Sequence, residues 1–361
     1  MRLFDPISLG APISDGALTL PNRIVMAPLG RARADAATRA PTASMALYYA
    51  QRASAGLIVT EATHVSARSV SRPGSAAIHA EPHVAGWRRV TEAVHARGGR
   101  IFQQLFHLGR KADPARSPDG GWPAAPSAIA ALGTFSGPGG PQPFPVPRAL
   151  ETDEVAELVG EFAAAARNAR LAGFDGVELH AANGFLIDQF LRDGANQRTD
   201  HYGGSIENRA RFLLELADAA AAVFGADRVG VRVSPHARGD GTDDSDPATL
   251  FAHVAGALGA RGLAYLHLIE PVTVPAEHRL APALRRAFGG PLIVCGGLDR
   301  ASALHTLADG RADLVAFGTG FIANPDLPER LRRDAPWNTP DPTTFYQGGD
   351  AGYIDYPFLP A

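Results

Sequence analysis

The sequence predicts an α/β fold, a (β/α)8 barrel, with residues 1–361 forming one domain. Three observations carry that expectation. Eight short apolar, β-branched runs recur along the chain, separated by stretches whose apolar spacing is about 3.6 residues. Strict alternation of the two signals demands a parallel sheet, and eight strands close a barrel. An open doubly wound sheet would need a G-x-G-x-x-G turn after its first strand, and none is there.

The strand runs are "IVMAPL" (24–29), "GLIVTEA" (56–62), "IFQQLFH" (101–107), "GVELHAA" (176–182), "VGVRVSP" (229–235), "YLHLIE" (265–270), "LIVCGG" (292–297) and "LVAFGT" (314–319). Helices are expected in "TASMALYYAQRA", "HVAGWRRVTEAVHARGG", "DEVAELVGEFAAAARNARLAG", "ENRARFLLELADAAAAVFG" and "RASALHTLADG". Several end on Gly, the usual C-terminal stop. Outside the repeat, residues 1–23 include "GALTLPNR", expected as a hairpin capping the barrel bottom. Residues 113–150 are rich in Pro, Gly and Ala and follow the third strand. They are too long for a connector and are expected to form a lid over the mouth, packed through Trp122, Phe135 and Phe144. The aromatic, Gly-rich tail "TTFYQGGDAGYIDYPFLP" is expected to fold back on the barrel.

Composition narrows the chemistry. Net charge is −3, so nothing draws the chain to nucleic acid or an anionic membrane. No apolar run reaches the roughly 18 residues of a spanning helix, no signal-peptide pattern follows Met1, and a cytoplasmic location is expected. Cys295 is the single cysteine, which excludes an internal disulfide and a cysteine-based metal cluster. Lys111 is the single lysine; it sits just past a strand and is a poor candidate for Schiff-base chemistry.

Barrel catalysis uses the C-terminal strand ends, where alternate side chains face inward. That places Glu178 and His180 inward, with Val177 and Leu179 facing the helices. Arg232 also points inward, while Gln104 and Phe106 share one face. A buried Arg or Gln needs a partner, which is either a ligand or, for Arg232, Glu178. "CGGLDRASAL" and "FGTGFIANPDLPERLRR" follow strands seven and eight, where Gly-rich loops and helix starts favour a phosphate. The rival is a metal-dependent hydrolase using His107, His180, His236 and His267. It lacks the H-x-H of a barrel strand one and the Asp after strand eight, so no metal is expected.

The whole chain resembles the Old Yellow Enzyme family, FMN-dependent NAD(P)H oxidoreductases on a (β/α)8 barrel. The most specific stretch is "ANQRTDHYGGSIENRARFLLE" (195–215), supported by "LPNRIVMAPLGR", "GLIVTEAT", "QLFHLGR", "GVELHAANGFL", "VGVRVSP" and "ANPDL". The resemblance implies hydride transfer from flavin N5 to an activated alkene (an enone) or a nitro compound, with NAD(P)H as reductant docking in the same place as substrate. It implies that Ala27, Pro28, Leu29 and Gly30 pass along the flavin ring, that Ala62 lies close to it, and that Gln104 bonds its pyrimidine edge. Arg232 would stabilise charge at N1/O2. Gly296, Gly297, Gly318 and Thr319 would line the phosphate. His180 and Asn183 would donate to one substrate oxygen, with Phe106, Phe185 and Tyr346 walling the pocket. The run from 196 is expected to be structural, with Asp200, Glu207 and Arg209 organising the loop and the next helix. The implied partners are small molecules, for a monomer or small homo-oligomer.

Three positions depart from the family pattern. Phe185 stands where most members carry the Tyr that protonates the α carbon, and Phe cannot donate a proton. Gly30 stands where many carry a Thr or Cys that bonds flavin O4, so a lower reduction potential is expected. Thr319 replaces an Arg that pairs with the phosphate, with Arg300 as a possible substitute. The missing acid also opens an alternative outcome, a redox-neutral isomerase or a desaturase acting on an enone-type substrate.

Overall fold

In a computed structural model, residues 2–9, 17–69, 72–117, 121–137 and 140–360 are described. Numbered along the chain, β1 (Ile7–Leu9) and β2 (Leu18–Leu20) pair antiparallel. The link between them, which includes part of the expected hairpin, lies outside the described residues. The barrel begins with β3 (Ile24–Met26) and β4 (Leu57–Val59); β5 (Thr63–His64) lies beside β6 (Ile101–Phe106). Four short strands follow β6: β7 (Ala124–Ala125), β8 (Thr134–Gly137), β9 (Gly140–Pro143) and β10 (Arg148–Ala149). The barrel resumes with β11 (Gly176–Ala181), β12 (Val229–Val233), β13 (Tyr265–Ile269), β14 (Leu292–Cys295) and β15 (Leu314–Phe317). Parallel pairings run β3–β4–β6–β11–β12–β13–β14–β15 and return from β15 to β3, closing eight strands into a barrel.

Helices α1 (Ala43–Gln51), α2 (Glu81–His95) and α3 (Thr152–Leu171) follow the first three barrel strands. After β11 come α4 (Leu186–Leu191) and α5 (Ile206–Phe224); then α6 (Pro247–Gly259), α7 (Ala281–Phe288) and α8 (Arg300–Ala308) each follow one strand. The last strand leads into α9 (Thr319–Ala323) and α10 (Leu327–Arg333). Side-chain caps start several of them: Thr42 receives Met45 N, and Asp299 receives Ser302 N at 2.8 Å.

Strand alternation sorts the core into two shells. Val177 and Leu179 pack outward with Phe162 and Leu213, as expected. Leu9, Leu18 and Leu20 of the hairpin join Leu57, Phe102, Tyr265 and Leu314 inside the bottom of the barrel, which the hairpin thereby closes. The expected strands overrun the observed ones at their C-terminal ends. "IVMAPL" stays apolar to Leu29, but the ladder stops at Met26 because the chain there turns across the mouth.

The run after β11 is structural. Asp200 receives Arg198, Thr152 Oγ1 (2.8 Å) and Tyr202 N (3.0 Å). Arg209 donates to Leu191 O at 2.6 Å and pairs with Asp244. Ser205 caps α5 through Asn208 N.

Within 113–150, β7 pairs with β10 and β8 with β9. Phe135 and Phe144 stack with centroids 5.5 Å apart. Trp122 does not join them: its indole donates to Val146 O, and its ring is largely exposed away from the mouth-lining residues. The tail folds back as expected. Arg31 donates to Phe345 O (3.0 Å) and Gly352 O (2.8 Å); Arg33 donates to the carbonyls of Thr344, Gln347 and Gly349. Tyr353 stacks on Tyr48 at 4.2 Å, sealing the attachment.

Candidate active site

A cavity of about 530 Å3 opens over the C-terminal strand ends. Pro28, Gly30, Ala62, Gln104, Phe106, His180, Asn183, Phe185, Arg232 and Tyr346 all line it. Sequence reasoning had placed each of these there, from six separate segments of the chain.

Its floor is a buried polar network. Glu178 receives Gln104 Nε2 on one oxygen (2.7 Å) and faces His267 Nδ1 with the other (2.8 Å). A carboxylate can only accept, so the Gln104 amide nitrogen must face Glu178 and its oxygen must point elsewhere. Glu178 is thus committed, and of the two partners open to Arg232, a ligand or Glu178, the Glu178 pairing is not made. Arg232 reaches only Cys295 Sγ, at 3.8 Å from Nη2, and its buried Nε has no partner among the described residues. A guanidinium carries five N–H donors and is costly to bury unpaired, so this one is set for a ligand.

One wall is aromatic. Phe185 meets His180 edge-on at 5.0 Å and Phe106 edge-on at 5.3 Å. Burial and the nearby charges of Arg232, His267 and Lys111 hold the His180 imidazole well below its ordinary pKa, so it is neutral. Its Nδ1 is buried and unpartnered among the described residues. Asn183 adopts a left-handed backbone, φ 58°, which Asn tolerates; Ser234 Oγ accepts its N–H at 2.8 Å. Across the mouth, Tyr346 lies under the Arg72 guanidinium at 4.1 Å.

The other expected residues lie at the edge of this constellation or outside it. Ala27 is fully buried in the barrel interior, and its N–H is spent on Phe317 O at 3.0 Å. Gly296, Gly297, Gly318 and Thr319 sit together at the ends of adjacent strands β14 and β15, and Leu29 lies against Gly318. Gly296 packs so tightly on Glu270 O that a Cβ would collide with it, a requirement independent of any ligand. Arg300 does not take the place of the missing phosphate partner: it donates to Leu331 O at 2.8 Å and pairs with Asp334.

Glu61 and Lys111 are among the lining residues that were not anticipated. Glu61 lines the cavity beside Ala62, and burial pushes its carboxyl up to about 7 despite the bonds from the Arg31 backbone and Tyr49. Lys111 also lines it, bonded to Asn183 O (2.8 Å) and paired with Asp240. The signal for Lys111 was its uniqueness at the end of strand three; Asp240 gave none.

The metal reading fails on the histidines themselves. His267 is held by Glu178, His236 faces Glu270 at 3.3 Å, and His107 Nδ1 accepts Gly109 N at 3.0 Å. Among the described residues no three His, Cys, Asp or Glu gather to hold an ion.

Residues 2–338 match the NADH:flavin oxidoreductase / NADH oxidase family. The chain belongs to this family. It is an FMN-dependent oxidoreductase with NAD(P)H as reductant. The chain is 44% identical over 353 residues to the "Probable flavin mononucleotide-dependent alkene reductase" of Leishmania infantum, covering 96% of each. It is 42% identical over 361 residues to 12-oxophytodienoate reductase 1 of Oryza sativa subsp. japonica, covering 98% of this chain and 93% of the relative. In structure it is similar to morphinone reductase in complex with tetrahydroNAD, with a TM-score of 0.93 and 48% identity over 100% of this chain and 98% of the other. The old yellow enzyme homologue of Zymomonas mobilis superposes with a TM-score of 0.94 at 42% identity, covering 99% of this chain and 100% of that one. The residues present fit a flavin of this family. Arg232 Nε lacks a partner among the described residues, and a Cβ at Gly30 would meet nothing described within 4 Å, leaving room at the mouth.

Proposed function

We propose that this oxidoreductase reduces an activated alkene, an enone or a nitro compound, whose oxygen is gripped by His180 and Asn183. The carrying observation is that His180 Nδ1 and Arg232 Nε, both buried and unpartnered among the described residues, belong to residues lining one cavity. FMN, when bound, would supply the hydride chemistry that links NAD(P)H to the substrate. Arg232 holds the electron-rich pyrimidine edge by charge, and the Gln104 oxygen accepts from it. Pro28, Leu29, Gly30 and Ala62 flank the ring, while Ala27 contributes through position alone. Gly296, Gly297, Gly318 and Thr319 hold the phosphate with backbone N–H groups and one hydroxyl.

A neutral His180 donates one hydrogen bond to the substrate oxygen and Asn183 a second, drawing electron density away from the β carbon. Phe106, Phe185 and Tyr346 wall the substrate and exclude water. Residues 113–150 act as a lid within a single domain, a reading supported by the Phe135–Phe144 stack at the cavity edge. NAD(P)H and substrate take turns in the same cavity. Use of NAD(P)H suits a cytoplasmic monomer or small homo-oligomer; no helix among the described residues is long and apolar enough to cross a membrane. No observation favours the isomerase or desaturase alternative.

The test is spectroscopic and catalytic. The purified protein should carry FMN, bleach anaerobically with NADH or NADPH, and reduce 2-cyclohexenone or a nitroalkene. Arg232→Met should weaken FMN binding about 10- to 100-fold, as expected for hydrogen bonds from a charged donor. A protein that binds FMN and bleaches, yet turns over neither acceptor class, would refute the substrate assignment.

A further inference from the structure

Phe185 offers no proton at the position where a reductase of this kind would need one. Lys111, the only lysine of the chain, stands directly over it. It ends the short helical turn Gly109–Lys111 that follows β6, and its Nζ lies 5.3 Å from the centre of the Phe185 ring. The ammonium donates to Asn183 O at 2.8 Å and pairs with Asp240. Gly184 makes this approach possible: a Cβ there would collide with Asp240 Oδ2 and with Lys111 Nζ. An ammonium has three N–H donors, and two are accounted for. The third has no partner among the described residues, on a side chain that lines the same cavity as His180 and Asn183. A lysine serving only to fix the 240 loop would have no need to line that cavity.

We propose that Lys111 is the general acid of the reaction, delivering a proton to the α carbon of the substrate alkene. The inference rests on the alkene-reductase reading above. The hydride that originates on NAD(P)H forms the β C–H bond, and the π electron pair moves toward the α carbon and the substrate oxygen held by His180 and Asn183. One N–H bond of Lys111 breaks and its proton forms the α C–H bond. The alkene gains two electrons and two hydrogens, and the nicotinamide is oxidised. The neutral amine regains a proton from solvent while Asn183 O and Asp240 keep it in place.

Stopped-flow reoxidation of the NADPH-reduced holoenzyme separates this step from the rest. The two acceptors are 2-cyclohexenone, which needs a carbon-bound proton, and ferricyanide, which does not. Lys111→Met should slow reoxidation by cyclohexenone about 100-fold, the usual scale of general acid catalysis, with the loss confined to that acceptor. Lys111→Arg keeps the charge and the partner Asp240 but gives up its proton far less readily, so it should be slow as well. Adding Phe185→Tyr to Lys111→Met should restore most of the rate by supplying a phenolic proton. Cyclohexenone reoxidation within threefold of wild type in Lys111→Met, or full activity in Lys111→Arg, overturns the assignment. An equal loss with both acceptors overturns it too, since the lysine would then be structural. Wild type that is reoxidised by ferricyanide but not by cyclohexenone overturns the alkene-reductase reading itself, and the acid role with it.

Discussion

Glu178 Oε2 lies 2.8 Å from His267 Nδ1, and neither side chain has any exposed surface. Burial alone would push the carboxyl up and the imidazole down. Their mutual attraction reverses both shifts, so Glu178 sits below and His267 above its ordinary value. Both directions favour the charged form of each partner in the middle of the barrel, one layer beneath the cavity.

Glu178→Gln leaves His267 without its anion and should cost about 3 kcal/mol of stability. The sign of the pH dependence follows from the two directions. A lowered carboxyl contributes stability that is lost as pH falls through its folded pKa. A raised imidazole contributes stability that is lost as pH rises through its folded pKa. The gap in thermal midpoint between wild type and Glu178→Gln should therefore be widest between about pH 4.5 and 6.5 and shrink on both sides. A gap that does not vary with pH would mean that the pair is not ionised.

Glu61 has the opposite signature. Its carboxyl is raised to about 7, chiefly by burial. The unfolded chain ionises near the ordinary value, so the folded form loses stability as pH rises from there to about 7. Glu61→Gln cannot lose that stability. Its melting temperature relative to wild type should climb between pH 5 and pH 8, by an amount worth about 3 kcal/mol at full extent. Parallel melting curves across that range would refute the shift.

Gly30→Thr should fold like wild type, because the added Cβ meets nothing within 4 Å. A hydroxyl there can bond the flavin ring, and one hydrogen bond of about 1 kcal/mol raises a two-electron potential by roughly 20 mV. Spectroelectrochemical titration measures it. An unchanged or lower potential would show that position 30 does not reach the ring.

Arg33→Leu removes the donors to the carbonyls of Thr344, Gln347 and Gly349. Tyr346 lies between those acceptors and walls the cavity. KM for the alkene should rise about tenfold, near 1.4 kcal/mol, with kcat much less affected. Steady-state kinetics decide it; equal falls in kcat and kcat/KM would place Arg33 in the chemistry instead.

The barrel was legible because eight β-branched runs alternating with helices demand a parallel sheet, eight strands close one, and the turn an open sheet would need is missing. Gln104, His180 and Arg232 were legible for a related reason: polar side chains on the inward parity of buried strands need partners. What escaped was pairing. Parity places Glu178 beside Gln104 and Arg232 alike, and only the three-dimensional register shows that His267, not Arg232, takes its second oxygen. Lys111 was dismissed from its local surroundings, and the reason to keep it, Asp240, lies 129 residues further on in the chain. Arg300 looked available because a guanidinium after a Gly-rich turn says nothing about Leu331 O.

The wall completed by Tyr346 is joined across nearly the whole length of the polypeptide. Arg33 and its acceptors are separated by 311 to 316 residues. During synthesis the two arginines after the first barrel strand emerge long before any carbonyl exists to receive them. All eight strands can be in place while the mouth is still gaping. Finishing the pocket is thus a late event in the birth of each molecule, and newly made chains should pass through a stage with a built barrel and an unfinished grip on substrate.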